Sequence, residues 1–140
     1  MDILSLQPGN ISVEIKHPAT GAPIGLTIEC VSLEDDRVKA VERQIKNRAL
    51  RGGRNTVTAE KIEDNTVEIL AAAIVGWKWE RPLLAPAVGK KEAVYGEQPN
   101  LDGDENPQLT KINVSKLLAV SWIAKQVDTA LGDEAAFFLK

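Results

Sequence analysis

The alternation of apolar and polar residues near the N-terminus has a period of two residues. The apolar positions are Ile11, Val13 and Ile15 in one run and Leu26, Ile28 and Cys30 in the next. This period is typical of half-buried strands. The pattern therefore predicts an antiparallel hairpin over residues 11–31, with a connection longer than two residues. An isolated hairpin is only marginally stable in water, so we expect a helix or another chain to cover its apolar face.

Residues 32–79 have a helical period and predict two helices. Ser32 is the expected N-cap of the first helix, which should end near Gly52. Its apolar stripe is Val38, Val41, Ile45 and Ala49. Its opposite face is basic, with Arg37, Lys39, Arg43, Lys46, Arg48 and Arg51, and Arg54 just beyond. We expect this face to be solvated, or to bind phosphates or an acidic protein surface.

The second predicted helix contains the most apolar run of the chain, Val67 to Val75. Thr58 is its expected N-cap, and Gly76 is its expected end. Because its second half is apolar nearly all round, we expect it to be the central core helix. The run is too short to span a membrane, which takes about 20 apolar residues.

Residues 80–107 form a long loop with four prolines, three glycines and little periodicity. Its apolar residues, which we expect to hold parts of it in place, are Leu83, Leu84, Val88, Val94 and Tyr95. Residues 108–140 become helical again after a cap at Asn113 or Ser115, with a second start at Ser121 and a break at Gly132. The expected inward residues are Val114, Leu117, Leu118, Ile123, Val127 and Leu131.

The length of 140 residues favours a single domain over residues 1–140, with residues 1–10 as a loose arm. The predicted fold class is α+β, mostly α, with an N-terminal β-hairpin followed by a small bundle of three to five helices. The net charge of −3 gives no general attraction to nucleic acid. We expect no signal peptide, because the N-terminus lacks a basic and then a long apolar segment. A cytoplasmic protein without membrane contact is the expectation.

Cys30 and His17 are the only residues of their types, so the hairpin could bring a thiol near a base. A buried structural cysteine is the preferred interpretation. The acidic segment 102–106 has oxygen ligands at alternating positions, but Pro107 and Asn113 occupy the places where a calcium loop requires glycine and glutamate. We therefore expect a solvated loop, no metal site and no cofactor. Because nucleotide-binding and hydrolase motifs are also missing, we predict no catalytic residues and no enzymatic activity.

Aromatic residues are the other candidates for partner binding. Trp77 and Trp79 follow the apolar helix, and Phe137 and Phe138 lie near the C-terminus. Adjacent side chains of a short helix cannot both point inward, so we expect one of the two phenylalanines to be exposed. The predicted partner-binding residues are Trp77, Trp79, Phe137, Phe138, Arg43 and Lys46.

The order of these features resembles the tail assembly chaperones of long-tailed bacteriophages and prophages. The similar elements are the hairpin segment HPATGAPIG, the helix ending in Gly76-Trp77, and the terminal pattern W-I-x-x-Q-V that leads to Phe137-Phe138. The resemblance implies a protein of the bacterial host cytoplasm. It also implies that the chain binds the tape measure protein, keeps it soluble until the tail forms, and contacts the tail tube protein as a further candidate partner.

Two other classes remain open. A structural virion subunit, such as a tail or head-completion protein, would use the hairpin edge and the long loop to join a ring. A small regulator would bind nucleic acid through the basic helix, in a manner sensitive to salt and to Arg43, Lys46 and Arg51. The sequence leaves the oligomeric state open.

Overall fold

The computed structural model describes residues 2–3, 8–52, 59–84, 89 and 92–138. Thr58, Arg54 and Val88 lie outside the described residues. In chain order the elements are strands β1 (Ile11–Lys16) and β2 (Pro23–Cys30), helices α1 (Asp36–Gly52) and α2 (Ala59–Ala73), strands β3 (Ile74–Trp79), β4 (Leu83–Leu84) and β5 (Val94–Tyr95), helices α3 (Lys111–Leu118) and α4 (Ser121–Leu131), and a 3-10 helix (Glu134–Phe138).

The predicted hairpin forms β1 and β2 and is extended by β3, in the antiparallel order β1-β2-β3 among the described residues. Val13 lies opposite Ile28, which lies opposite Trp77, so these side chains share one face. Val13 and Ile28 are buried there. The opposite face carries polar residues, including Glu14 and Lys78 on either side of β2. The sheet therefore has one core face and one polar face, as its period of two predicts.

The predicted central helix ends earlier than expected. Helix α2 stops at Ala73, and β3 begins at Ile74, so the expectation of a helix to Gly76 is wrong. The segment from Ile74 is rich in β-branched and aromatic residues, and the free edge of β2 offers it a ladder of backbone hydrogen bonds. The N–H of Val31 donates to the C=O of Ala73 at 2.8 Å, where the helix ends. The centre of the core is therefore the sheet and not α2.

Helix α1 begins later than predicted and ends where predicted, at Gly52. The Asp35 carboxylate accepts from the N–H of Arg37 at 3.0 Å and caps the helix. The Ser32 hydroxyl instead accepts from the N–H of Glu34 at 3.1 Å in the preceding turn. Along the predicted stripe, Val38 is buried whereas Ala49 is exposed, so the far end of α1 extends beyond the core.

Helices α3 and α4 confirm the second helical region, with the predicted start at Ser121 and break at Gly132. The cap of α3 is Thr110, whose hydroxyl accepts from the N–H of Asn113 at 3.2 Å, and neither Asn113 nor Ser115 caps it. All six residues predicted to point inward are buried. The fold class is confirmed, since four α-helices follow the N-terminal hairpin in the described chain.

The segment 80–107 contains a small hairpin in which β4 pairs with β5. Its apolar residues Leu83, Leu84, Val94 and Tyr95 are all exposed, so they contact each other across the hairpin and do not hold the loop to the core. The end of the predicted loose arm is also fixed, because the N–H of Gly9 donates to the C=O of Phe137 at 2.6 Å.

Candidate functional site

Trp77 and Trp79 lie two residues apart on β3 and are half-buried on its core side. Their rings meet edge to face, with centroids 5.6 Å apart and planes at 87°. The indole N–H of Trp77 donates to the C=O of Pro107 at 2.9 Å, whereas the buried indole N–H of Trp79 has no partner among the described residues. Most of this aromatic pair is therefore used for packing within the chain, and a part of each ring stays accessible.

The two phenylalanines of the 3-10 helix point in opposite directions. Phe137 is 2% exposed and belongs to the core, and Phe138 is 53% exposed. The prediction that one of the pair is exposed is confirmed. Phe138 is the one whose side chain a partner can reach directly.

Arg43 and Lys46 are exposed on α1, as the basic face predicts. Several neighbouring cations of α1 are paired: Arg37 with Asp35 at 3.7 Å, Lys39 with Glu34 at 3.5 Å, and Arg48 with Glu68 at 2.7 Å. Because these groups are well exposed, each pair contributes little stability. The pairs reduce the positive potential that a phosphate backbone would meet.

His17 and Cys30 lie at opposite ends of the hairpin. Cys30 lies opposite Ile11, whereas the Nδ1 atom of His17 accepts from the N–H of Ala19 at 3.1 Å within the connecting turn. Burial, and secondarily the charge of Glu29, raise the pKa of the Cys30 thiol to about 12. A thiol that stays protonated is a poor nucleophile. The interpretation of Cys30 as a buried residue is confirmed.

The acidic segment forms a tight turn. Asp102 and Gly103 have φ angles of 54° and 86°, and Leu101 and Asp104 exchange backbone hydrogen bonds of 2.9 and 3.1 Å across them. Asp and Gly favour such a turn because they tolerate positive φ. Asp104 accepts from the N–H of Asn106 at 2.9 Å. The described residues bring together no group of three His, Cys, Asp or Glu side chains that could hold a metal ion.

The largest apolar opening between helices is a groove of about 390 Å³ where α1, α2 and α3 meet; we call it the three-helix groove. Its apolar lining is Val41 from α1, Val67, Ala71 and Ala72 from α2, Ile74 from β3, and Leu109 and Val114 at the start of α3. Gln44, Glu68 and Lys111 add polar groups at its sides. Such a lining fits an amphipathic helix, with apolar residues inside and polar residues at the rim.

Three features shape this groove. Ala71 and Ala72 have short side chains, so the floor on α2 is low. The ion pair between Arg48 and Glu68 joins α1 to α2. Leu109 is 43% exposed on the α3 side. The groove therefore has a fixed wall, a low floor and an accessible apolar rim.

Sequence reasoning missed the three-helix groove. The residues it singled out, Trp77, Trp79, Phe138, Arg43 and Lys46, do not line it, and Phe137 is buried. The pair Ala71-Ala72 was interpreted as part of a helix buried on all sides. The available signal was their small size, which lets another helix approach.

No helix in the described ranges combines the length and the apolar character needed to cross a membrane. Comparisons of the chain with models of protein families, with curated proteins and with solved structures find no match.

Proposed function

We propose that this protein is a non-enzymatic tail assembly chaperone of a long-tailed bacteriophage or prophage. In the host cytoplasm it binds the tape measure protein and keeps it soluble during tail assembly, and the tail tube protein is a further candidate partner. The three-helix groove is the observation that carries this proposal. It offers an accessible apolar surface on a chain that also has a separate buried core.

The chemistry of the client follows from the lining of the groove. A long helical protein exposes apolar stripes that aggregate unless they are covered. One such stripe can lie between Val41 and Leu109, above the low floor at Ala71. Burial of apolar surface contributes about 25 cal/mol for each Å². The family identity rests on the sequence resemblance, and the groove supports only the binding of a helical client.

Co-expression with the tape measure protein of the same genome tests this proposal. We expect the tape measure protein to become soluble and to co-elute with several copies of this chain. The variant Ala71→Arg fills the floor of the groove and should abolish co-elution. Ala119→Arg, an exposed position after α3, is the matched control and should leave the complex intact. An insoluble tape measure protein beside the wild-type chain, or equal binding by the two variants, contradicts the proposal.

The exposed hairpin of β4 and β5 favours a second candidate, a structural virion subunit that forms a ring. Leu83 is 62% exposed and Tyr95 is 52% exposed on this hairpin, and an isolated hairpin gains stability when another chain covers it. Light scattering on the purified chain distinguishes the two candidates. A ring of defined size that is lost in Leu83→Ser with Tyr95→Ser supports the structural subunit, and a chain that shows no ring contradicts it.

A further inference from the structure

The end of the α1–α2 pair that lies away from the sheet leaves apolar side chains uncovered; we call it the distal arm. Leu50 is 83% exposed on α1, and Ile62 is 55% exposed on α2. Between the helices lies a cleft of about 300 Å³, whose apolar lining is Ile45, Ala49 and Ile62. Helix α1 is 17 residues long, yet its only buried residue is Val38, near its start. Burial of this apolar surface would require a partner outside the chain.

The two helices of the distal arm carry opposite charges. The last ten residues of α1 hold the cations Arg43, Lys46, Arg48 and Arg51 and no acidic residue. Residues 61–68 of α2 hold the anions Glu63, Asp64 and Glu68 and the single cation Lys61. Within one copy, Arg48 and Glu68 form an ion pair. Lys46 and Arg51 on one helix, and Glu63 and Asp64 on the other, take part in no ion pair among the described residues.

This charge division identifies the partner. We propose that the distal arm binds the distal arm of a second copy of this chain, so that α1 of each copy packs against α2 of the other. A two-fold axis repeats every contact, so each basic segment meets an acidic one twice. Leu50 and Ile62 are then covered within a four-helix bundle. Two basic helices in contact would repel each other, which favours the pairing of α1 with α2 over the pairing of like helices.

The inference goes beyond the proposed function and does not depend on it. The apolar lining of the distal cleft, Ile45, Ala49 and Ile62, is separate from the apolar lining of the three-helix groove. Dimer formation is measured on the purified chain without any client. Failure of the dimer and failure of client binding are therefore distinguishable.

Sedimentation velocity of the full chain over a wide concentration range tests the apolar contact. We expect the wild-type chain to be a dimer and Leu50→Asp with Ile62→Asp to be a monomer. The matched control is Ile112→Asp, which removes an apolar side chain that is 71% exposed on α3. This variant should remain a dimer. A wild-type monomer at the highest concentration, or loss of the dimer in the control as well, overturns the proposal.

A charge exchange tests which helices meet. Lys46→Glu with Arg51→Glu makes α1 acidic, and Glu63→Lys with Asp64→Lys makes α2 basic. Each doubly substituted chain alone should be monomeric, because its contacts now join like charges. An equimolar mixture should recover one of its two interface contacts as an attractive pair that is repeated for the exchanged helices, and should form a mixed dimer. Circular dichroism checks that every variant is folded. If the two chains do not associate when mixed, or each dimerises alone like the wild-type chain, the pairing of α1 with α2 is wrong.

Discussion

The side-chain amide of Gln126 pairs with the backbone of Lys16 as a neighbouring strand would. The N–H of Lys16 donates to Oε1 of Gln126 at 2.9 Å, and Nε2 of Gln126 donates to the C=O of Lys16 at 2.9 Å. At the other end of β1, the N–H of Gly9 donates to the C=O of Phe137. Helix α4 and the 3-10 helix thus flank the outer edge of β1 at both ends. Cover of this kind protects an edge strand from pairing with other chains.

Removal of the amide should weaken this attachment. In Gln126→Ala both hydrogen bonds to Lys16 are lost, and we expect the free energy of unfolding to fall by about 1–2 kcal/mol, since a typical hydrogen bond contributes about 1 kcal/mol. Urea denaturation measures the change. Gln44→Ala, at an exposed position of α1, is the control and should change stability by less than about 0.5 kcal/mol. Equal stability of the two variants would show that the Gln126 pairing contributes nothing.

Gly25 should tolerate no side chain. Its φ is +94°, and a Cβ atom placed there would lie 1.8 Å from the carbonyl oxygen of Glu80. Gly25→Ala must therefore move the backbone after β3, and we expect a loss of more than about 3 kcal/mol. Gly21 has a similar φ of +72° but open space around it. Gly21→Ala should cost only about 1–2 kcal/mol, the usual cost of a left-handed backbone for alanine.

Thermal or urea denaturation of the two glycine variants separates the steric effect from the backbone effect. The difference between Gly25→Ala and Gly21→Ala isolates the close approach to Glu80, because both positions have positive φ. Two variants of equal stability would contradict the contact.

The two tryptophans of β3 should respond oppositely to loss of the indole N–H. Trp77→Phe removes the hydrogen bond to Pro107 and leaves its carbonyl without this donor, so we expect a loss of about 1–2 kcal/mol. Trp79→Phe removes a buried N–H that has no partner in the described part of the chain. The relief of that unpaired group offsets the lost ring area, so this variant should be less destabilised than Trp77→Phe. Urea denaturation of both variants measures the difference, and the reverse order would contradict the assignment.

Cys30 should make stability depend on alkaline pH. Burial raises its thiol pKa from 9.0 to about 12 in the folded chain, so the unfolded chain loses this proton first. The stabilisation is complete below the unfolded pKa of 9.0 and is lost as pH rises toward about 12. The denaturation midpoint measured below and above pH 9.0 should fall for the wild-type chain. Cys30→Val should reduce this fall, and an identical pH dependence would exclude Cys30 as its source.

The groove could not be predicted from single elements. Each of its walls was predicted to contain a helix, and Val41 was placed on the inward stripe of α1. However, Leu109 lies 38 positions after Ala71, and nothing local places them together. The fixed distance between the helices depends on the packing of α2 and α3 over the sheet, so the groove required the tertiary structure.

The sequence by itself determined the elements whose pattern matches one period without ambiguity. Alternation specified the hairpin from Ile11 to Cys30, and the helical spacing from Val114 to Leu131 specified α3, α4 and the break between them. The tertiary structure decided the segment from Ile74 to Trp79, because an apolar run without polar positions fits either a buried helix or a buried strand. The free edge of β2, more than 40 positions earlier in the chain, supplies the backbone partners that make it a strand. Long-range pairing of this kind leaves no local signal, and it also fixes where both tryptophans point.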